Sequence, residues 1–268
     1  MPFILIALIL IFPYVLSLRG RTGHTGIPEL RCWAYAHRGL HGNNRPENGM
    51  AAFQAALDKG YGIELDIHLM ADGNLAVIHD ASLKRTAGAD VNIEDLKAED
   101  LQQYCLEGTQ EKIPLFSQVL ELFDGKAPLI VELKSEQDNY AALCETACNM
   151  LEKYHGAYCL ESFDPRCVYW LRKNRPELIR GQLAQNYFSA TNCKLPLIFK
   201  FVLTNNMLNF LTAPDFIAYR YADRKRLSNI LCRKLWRVQG VTWTLKTPNS
   251  YTAATEEGWI PIFEDFKP

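Results

Sequence analysis

The segment Gly62-Ile63-Glu64-Leu65-Asp66-Ile67-His68-Leu69 alternates apolar and polar side chains with a period of two. That is the signature of a strand, along which successive side chains point to opposite faces. Ile63, Leu65, Ile67 and Leu69 then face a packing surface, and Glu64, Asp66 and His68 share the other side. Two carboxylates side by side on an apolar strand repel each other, and burying both without a cation is costly. Two readings follow. One is a divalent metal site, whose hard oxygen ligands favour Mg²⁺ or Ca²⁺. The other is an exposed edge strand with its polar face in water.

A second apolar run, Leu129-Ile130-Val131-Glu132-Leu133-Lys134, ends in two charges that share a face. Glu132 is placed to supply a third oxygen ligand and Lys134 a positive charge for an anion; a surface ion pair at a strand end is the other reading. Two histidines also close apolar runs: His37 in Trp33-Ala34-Tyr35-Ala36-His37-Arg38-Gly39, and His79 in Leu75-Ala76-Val77-Ile78-His79-Asp80. Imidazoles so placed, one with Arg38 beside it, suit proton transfer near neutral pH. Arg45-Pro46-Glu47-Asn48-Gly49 precedes a helical pattern. Asn48 is a candidate cap for that helix, which would leave Glu47 near the cation or the substrate's hydroxyls.

These residues need a frame that brings strand ends together. From residue 32 onward, short apolar strands alternate with helical patterns. Strands are expected at Trp33–Ala36, Gly62–His68, Pro128–Leu133, Tyr158–Phe163, Ile179–Ala184, Phe216–Tyr219, Val241–Leu245 and Ile260–Phe263. Helices are expected at Asn48–Lys59, Leu115–Phe123, Tyr140–Tyr154, Pro165–Lys173, Arg224–Leu235 and Asn249–Thr255. Eight strands with intervening helices point to an α/β fold, a closed TIM-type (β/α)8 barrel, whose active site lies at the C-terminal strand ends. Leu75–Ile78 and then Ala81–Gln110 read as a hairpin arm and a small insertion, and Asn186–Ala213 as a long apolar stretch with partly helical spacing.

Residues 1–18 carry no charged side chain and read as a membrane anchor or signal segment. Arg19, Arg21 and Arg31 follow it, so the positive-inside rule favours an anchor with the catalytic domain in the cytoplasm over export. Residues 19–31, with three glycines and a proline, read as a linker, and 32–268 as one barrel domain. Eight cysteines without a Cys-x-x-Cys pair argue against a disulfide framework and for a reducing compartment. The formal net charge of −1 gives no reason to expect a nucleic-acid partner.

Taken in order, His37-Arg38-Gly39, Pro46-Glu47-Asn48, Ala51-Ala52-Phe53, Glu64-x-Asp66, Asp72-Gly73, His79-Asp80, Glu132-Leu133-Lys134, Ser162-Phe163, Trp243-Thr244 and Asp265-Phe266 resemble the glycerophosphodiester phosphodiesterase family. The resemblance covers nearly everything after residue 32. It implies a TIM-type barrel with a small insertion, a divalent cation held by Glu64, Asp66 and Glu132, and His37 and His79 as general base and general acid. It further implies phosphate contacts from Arg38 and Lys134, and Trp243 as a wall against the glycerol. The implied reaction is metal-dependent hydrolysis of a small glycerophosphodiester to glycerol phosphate and an alcohol. Gly49 and Met70 stand where the family usually has threonine, which bears on substrate preference. Two alternatives remain open at this stage: a phospholipase-type enzyme acting on lysophospholipids, and an inactive, membrane-tethered binding barrel.

Overall fold

The computed structural model describes residues 11–191 and 193–268. Among the described residues, nine strands form one sheet: β1 Tyr35–His37, β2 Gly62–Leu69, β3 Leu75–Val77, β4 Leu129–Leu133, β5 Tyr158–Ser162, β6 Arg180–Ala184, β7 Phe216–Arg220, β8 Gln239–Leu245 and β9 Trp259–Phe263. Their order is β1-β9-β8-β7-β6-β5-β4-β2-β3, and β1 also pairs with β2. Every pairing is parallel except β2 with β3. The eight parallel strands therefore close on themselves, and β3 lies as an antiparallel flap on β2. This is the TIM-type (β/α)8 barrel anticipated above.

Two sets of apolar side chains hold the barrel. Ile63, Leu65 and Ile67 of β2 and Leu129, Val131 and Leu133 of β4 face the surrounding helices, packed with Phe53, Val119, Leu143 and Leu171. Tyr35, Ile130, Cys159, Phe216, Val241 and Ile260 fill the barrel interior. Because strand positions alternate, a strand buried on both faces reads as a continuous apolar run. Inward positions that are charged, as on β2, mark the open end. The insertion Ala81–Gln110 folds over the flap around its own core of Ile78, Leu83, Ile93, Leu101 and Leu106.

Helices occupy the expected connections, with ends displaced by up to three residues. The first runs Met50–Leu57 with Gly49 as its N-cap. Asn48 is therefore not the cap; it has a left-handed φ of 55° and turns its side chain inward. Helix Pro165–Asn174 begins where Asp164 accepts from the Arg166 amide, 2.8 Å, with Pro165 supplying a preset φ. The region Arg224–Leu235 is helical only from Leu227, as an α turn to Ile230 that continues as a π turn over Leu231–Leu235. The stretch Asn186–Ala213 contains helices Leu197–Thr204 and Asn209–Thr212.

Residues 1–10 of the N-terminal segment lie outside the described residues. Residues 11–17 are helical and Leu18 is buried. Among the described residues, no helix is long and apolar enough to cross a membrane. The segment 19–31 is tied to the barrel: the Arg21 guanidinium pairs with Asp215, and the Tyr35 hydroxyl donates to the Leu30 carbonyl, 3.0 Å. All eight cysteines are free thiols.

Candidate active site

Parallel register places the chemistry. His37 of β1 sits beside Glu64 of β2, Asp66 of β2 beside Glu132 of β4, and Glu132 beside Glu161 of β5. All of these point into the mouth of the barrel. His37, Arg38, Glu64, His79, Glu132, Lys134, Glu161, Phe163 and Trp243 line one cavity of about 390 Å³. Asp66 lies beneath it, 1% exposed. Seven of the nine residues singled out from the sequence thus share the cavity wall, and an eighth forms its floor.

Glu47 is the ninth and stands one step back. Its carboxylate accepts from Arg38 at 2.9 Å and from Arg85, so it braces the arginine rather than facing the cation or the substrate's hydroxyls. The turn His37-Arg38-Gly39 explains how Arg38 reaches inward. Arg38 and Gly39 are both left-handed, with φ 54° and 80°. This aims the Arg38 amide at Glu64 Oε2, 3.2 Å away, while the guanidinium lies 3.5 Å from Asp66.

Electrostatics divide the carboxylates. One oxygen from each of Glu64, Asp66 and Glu132 lies within 4.8 Å of the others. Burial works against the charged form of Asp66. Lys134 at 3.0 Å, together with His79, Arg38 and the Asn48 amide (2.9 Å), outweighs it and holds this carboxyl well below its usual range. Burial and the neighbouring Asp66 and Glu132 push Glu64 well up. Burial raises Glu132 to about 7, opposed by Lys134 at 2.8 Å and reinforced by Asp66. Glu161 is buried and also pushed well up, and its Oε2 has no hydrogen-bond partner. Four buried carboxylates thus face two cations, Lys134 and Arg38. The surplus negative charge and the all-oxygen donor set fit a hard divalent ion.

Each histidine has a carboxylate on one ring nitrogen. His37 Nδ1 lies 3.1 Å from Glu264 Oε2, and its Nε2 faces Glu64 at 3.8 Å. His79 Nδ1 lies 2.6 Å from Asp80, which is itself held by Arg85. Burial lowers both imidazoles, His79 to about 4. His68 does not reach the cavity. It is buried between Glu94, 2.5 Å, and the His79 carbonyl, 3.2 Å, and so fixes the backbone of His79. Trp243 packs edge-on to Phe163, 5.7 Å between centroids, forming the apolar wall.

Two contributors escaped the sequence reading, Glu161 and Glu264, and Asn48 was read as a helix cap rather than as a partner of Asp66. Glu161 was open to the rule that found Glu132, a carboxylate near the C-terminal end of a barrel strand, and Glu264 follows the last strand in the same way. His41 Nε2 lies 3.6 Å from Glu264 Oε1.

A parallel barrel whose strand ends gather carboxylates, a lysine and two carboxylate-bound histidines belongs to the class of TIM-barrel proteins with a hydrolase-type polar site. The particular family follows from comparison. The glycerophosphoryl diester phosphodiesterase family model matches residues 37–266, and the chain belongs to that family. It is 40% identical over 129 residues to a glycerophosphodiester phosphodiesterase of Bacillus altitudinis, covering 45% of this chain and 52% of that one. It is 36% identical over 132 residues to the lysophospholipase D GDPD1 of Rattus norvegicus, covering 44% and 40%. The matched part thus spans about half or less of these two relatives. Its fold is similar to that of an Oleispira antarctica phosphodiesterase solved in complex with the product sn-glycerol-3-phosphate, with a TM-score of 0.71, 20% identity, and 87% and 92% of the two chains covered.

Proposed function

We propose that this chain hydrolyses glycerophosphodiesters to glycerol phosphate and an alcohol, with a divalent cation and two histidines. The observation that carries the reading is the meeting of Glu64, Asp66 and Glu132 with Lys134, Arg38, His37 and His79 at a single cavity. The B. altitudinis relative's activity and the glycerol phosphate bound to the Oleispira protein point the same way.

Glu64, Asp66 and Glu132 would hold Mg²⁺ or Ca²⁺, which when bound polarises a phosphoryl oxygen and neutralises charge as it builds on phosphorus. Arg38 and Lys134 receive the phosphate. Glu47 keeps Arg38 in position, and Asp66 and Glu132 anchor the Lys134 ammonium. Trp243 and Phe163 exclude water along the glycerol. Glu264 accepts the His37 Nδ1 proton, which leaves Nε2 free toward the cavity to take a proton from the attacking hydroxyl. Asp80 likewise holds the Nδ1 proton of His79, and the His79 imidazolium, protonated also on Nε2, gives that Nε2 proton to the departing alcohol and is left neutral. Neutral imidazoles, favoured here by burial, suit the base; the acid must be charged by the approach of the phosphate.

Replacing His37 or His79 by alanine is expected to lower kcat on glycerophosphocholine by about 10²- to 10⁴-fold with the melting temperature retained. Chelation is expected to abolish turnover, and added Mg²⁺ or Ca²⁺ to restore it. Near-normal rates in both alanine variants would end the assignment.

A lysophospholipid substrate is the second reading, favoured by the solvent-facing apolar helix Leu197–Thr204 and by the rat relative. Rates on glycerophosphocholine against lysophospholipid vesicles separate the two. An inactive binding barrel would show neither rate; the full set of histidines and carboxylates argues against it. The N-terminal apolar segment supports membrane association, and the free thiols and following arginines support a cytoplasmic catalytic domain. Protease accessibility in intact and opened cells tests that placement.

A further inference from the structure

Large apolar side chains that face solvent gather on one flank of the barrel. Helix Leu197–Thr204 leaves Leu197, Ile198, Phe199 and Phe201 exposed, Leu197 at 74%, and buries only Thr204. Residues 11–18 lie alongside. Leu18 is buried against Ile217, Cys232 and Val238, with Met207 and Trp236 packed on the same cluster. The Trp236 indole donates to the Val15 carbonyl, 2.8 Å, and the Asn209 amide to the Leu18 carbonyl, 3.4 Å. The N-terminal helical residues therefore bridge the segment 197–212 and the segment 227–235. They expose Ile11, Phe12 and Leu16. On the other side Leu227, Ile230 and Leu235 are exposed. Isolated apolar residues on a surface need no explanation, but three adjoining segments that expose them together do.

Charge identifies what covers them. Residues 11–22, 186–213 and 224–238 hold two, two and six basic residues and no acidic one, ten positive charges in a chain whose formal net charge is −1. Arg21 and Arg224 are paired with Asp215 and Glu257, and Arg233 stacks on Trp259. Arg19, Lys194, Lys225, Lys234 and Arg237 are exposed. Apolar side chains interleaved with these five exposed basic residues complement an anionic lipid surface. A second copy of this chain would set positive charge against positive charge.

We propose that this flank docks on an anionic bilayer, with helix Leu197–Thr204 and the 227–235 segment inserting apolar side chains between headgroups that pair with the lysines and arginines. The 186–213 segment leaves the C-terminal end of β6, where Arg220, the last residue of β7, donates to the Ser189 hydroxyl, 2.9 Å. The proposal is independent of the catalytic reading.

The test uses the full chain with vesicles of phosphatidylcholine, alone or mixed with phosphatidylglycerol. Hydrogen exchange is followed for peptides covering residues 195–204 and 227–235, and vesicle partitioning is compared with the triple variant Ile198→Ser, Phe199→Ser, Phe201→Ser. Protection of both peptides is expected only when phosphatidylglycerol is present. The variant should partition about a hundredfold more weakly or worse, with an unchanged circular dichroism melt. Two results would overturn the proposal. One is protection already complete without vesicles, whether from the chain's own first residues or, if it varies with protein concentration, from a second copy. The other is a variant that partitions like the parent chain. Hydrolysis of soluble glycerophosphocholine, measured on the same samples, bears on the catalytic reading alone.

Discussion

At the scale of residues, the partner of His37 decides what the imidazole can do. Burial works against the charge of Glu264, but the hydrogen bond from His37 and the nearby Lys246 ammonium hold it at about 2. Glu264 is therefore an anion at any working pH and fixes the proton of His37 on Nδ1. Glu264→Ala is expected to lower kcat by roughly ten- to a hundredfold, at or below the lower end of the span for a general base itself, with KM little changed. Glu264→Gln, which keeps a carbonyl acceptor, should recover much of the loss. Equal defects in the two variants, measured by steady-state kinetics, would show that Glu264 only packs. Residue types made His37, His79, Glu64, Asp66 and Glu132 legible, because a charge closing an apolar run has few structural uses. Glu264 was not legible as their partner, since its contact is made across the chain from end to end. Asn48 carried a cap signal that the backbone overrode: the left-handed turn frees its amide for Asp66.

At the scale of elements, register turns separate sequence signals into one site. β1 and β4 flank β2, so His37 meets Glu64 and Glu132 meets Asp66 without any loop needing to search. All eight strands of the barrel could be read from the chain, most of them as apolar or alternating runs bounded by turn residues. Helix ends were less legible, as at Arg224–Leu235, where a π turn replaces regular helix and no cap marks the start. The turn after β1 carries its own constraint. A Cβ on Gly39 would lie 2.9 Å from the Ala52 backbone, and the φ of 80° disfavours any side chain there. Gly39→Ala is expected to destabilise the fold by about 1–3 kcal/mol and to raise KM through displacement of Arg38. Chemical denaturation and kinetics on one preparation check both parts; a stable variant with unaltered KM would show that the turn tolerates repacking.

At the scale of the whole molecule, the site opposes the fold that holds it. Glu132 titrates at about 7 in the folded chain, against about 4.3 when unfolded. The folded state therefore holds a proton that the unfolded state has lost. Its contribution to stability is fully present below about pH 4 and is lost as the pH climbs through 7. Glu64 and Glu161 are shifted in the same direction. His37 and His79 are shifted down and act oppositely, but only below about pH 6.5, where the unfolded imidazole begins to charge. Between about pH 6.5 and 8 the carboxylates govern, and the metal-free protein should melt at a falling temperature as the pH rises. A cation on Glu64, Asp66 and Glu132 must displace those protons and removes the repulsion, so it stabilises most where the carboxylates are ionised. Saturating Mg²⁺ or Ca²⁺ is thus expected to raise the melting temperature by several degrees at pH 8 and by less at pH 6.5, with proton release seen calorimetrically at the lower pH. Glu132→Gln should flatten the pH dependence of the metal-free protein and weaken the cation's effect at both values. A metal-induced shift independent of pH, or one that survives Glu132→Gln, would place the cation elsewhere than on these three carboxylates.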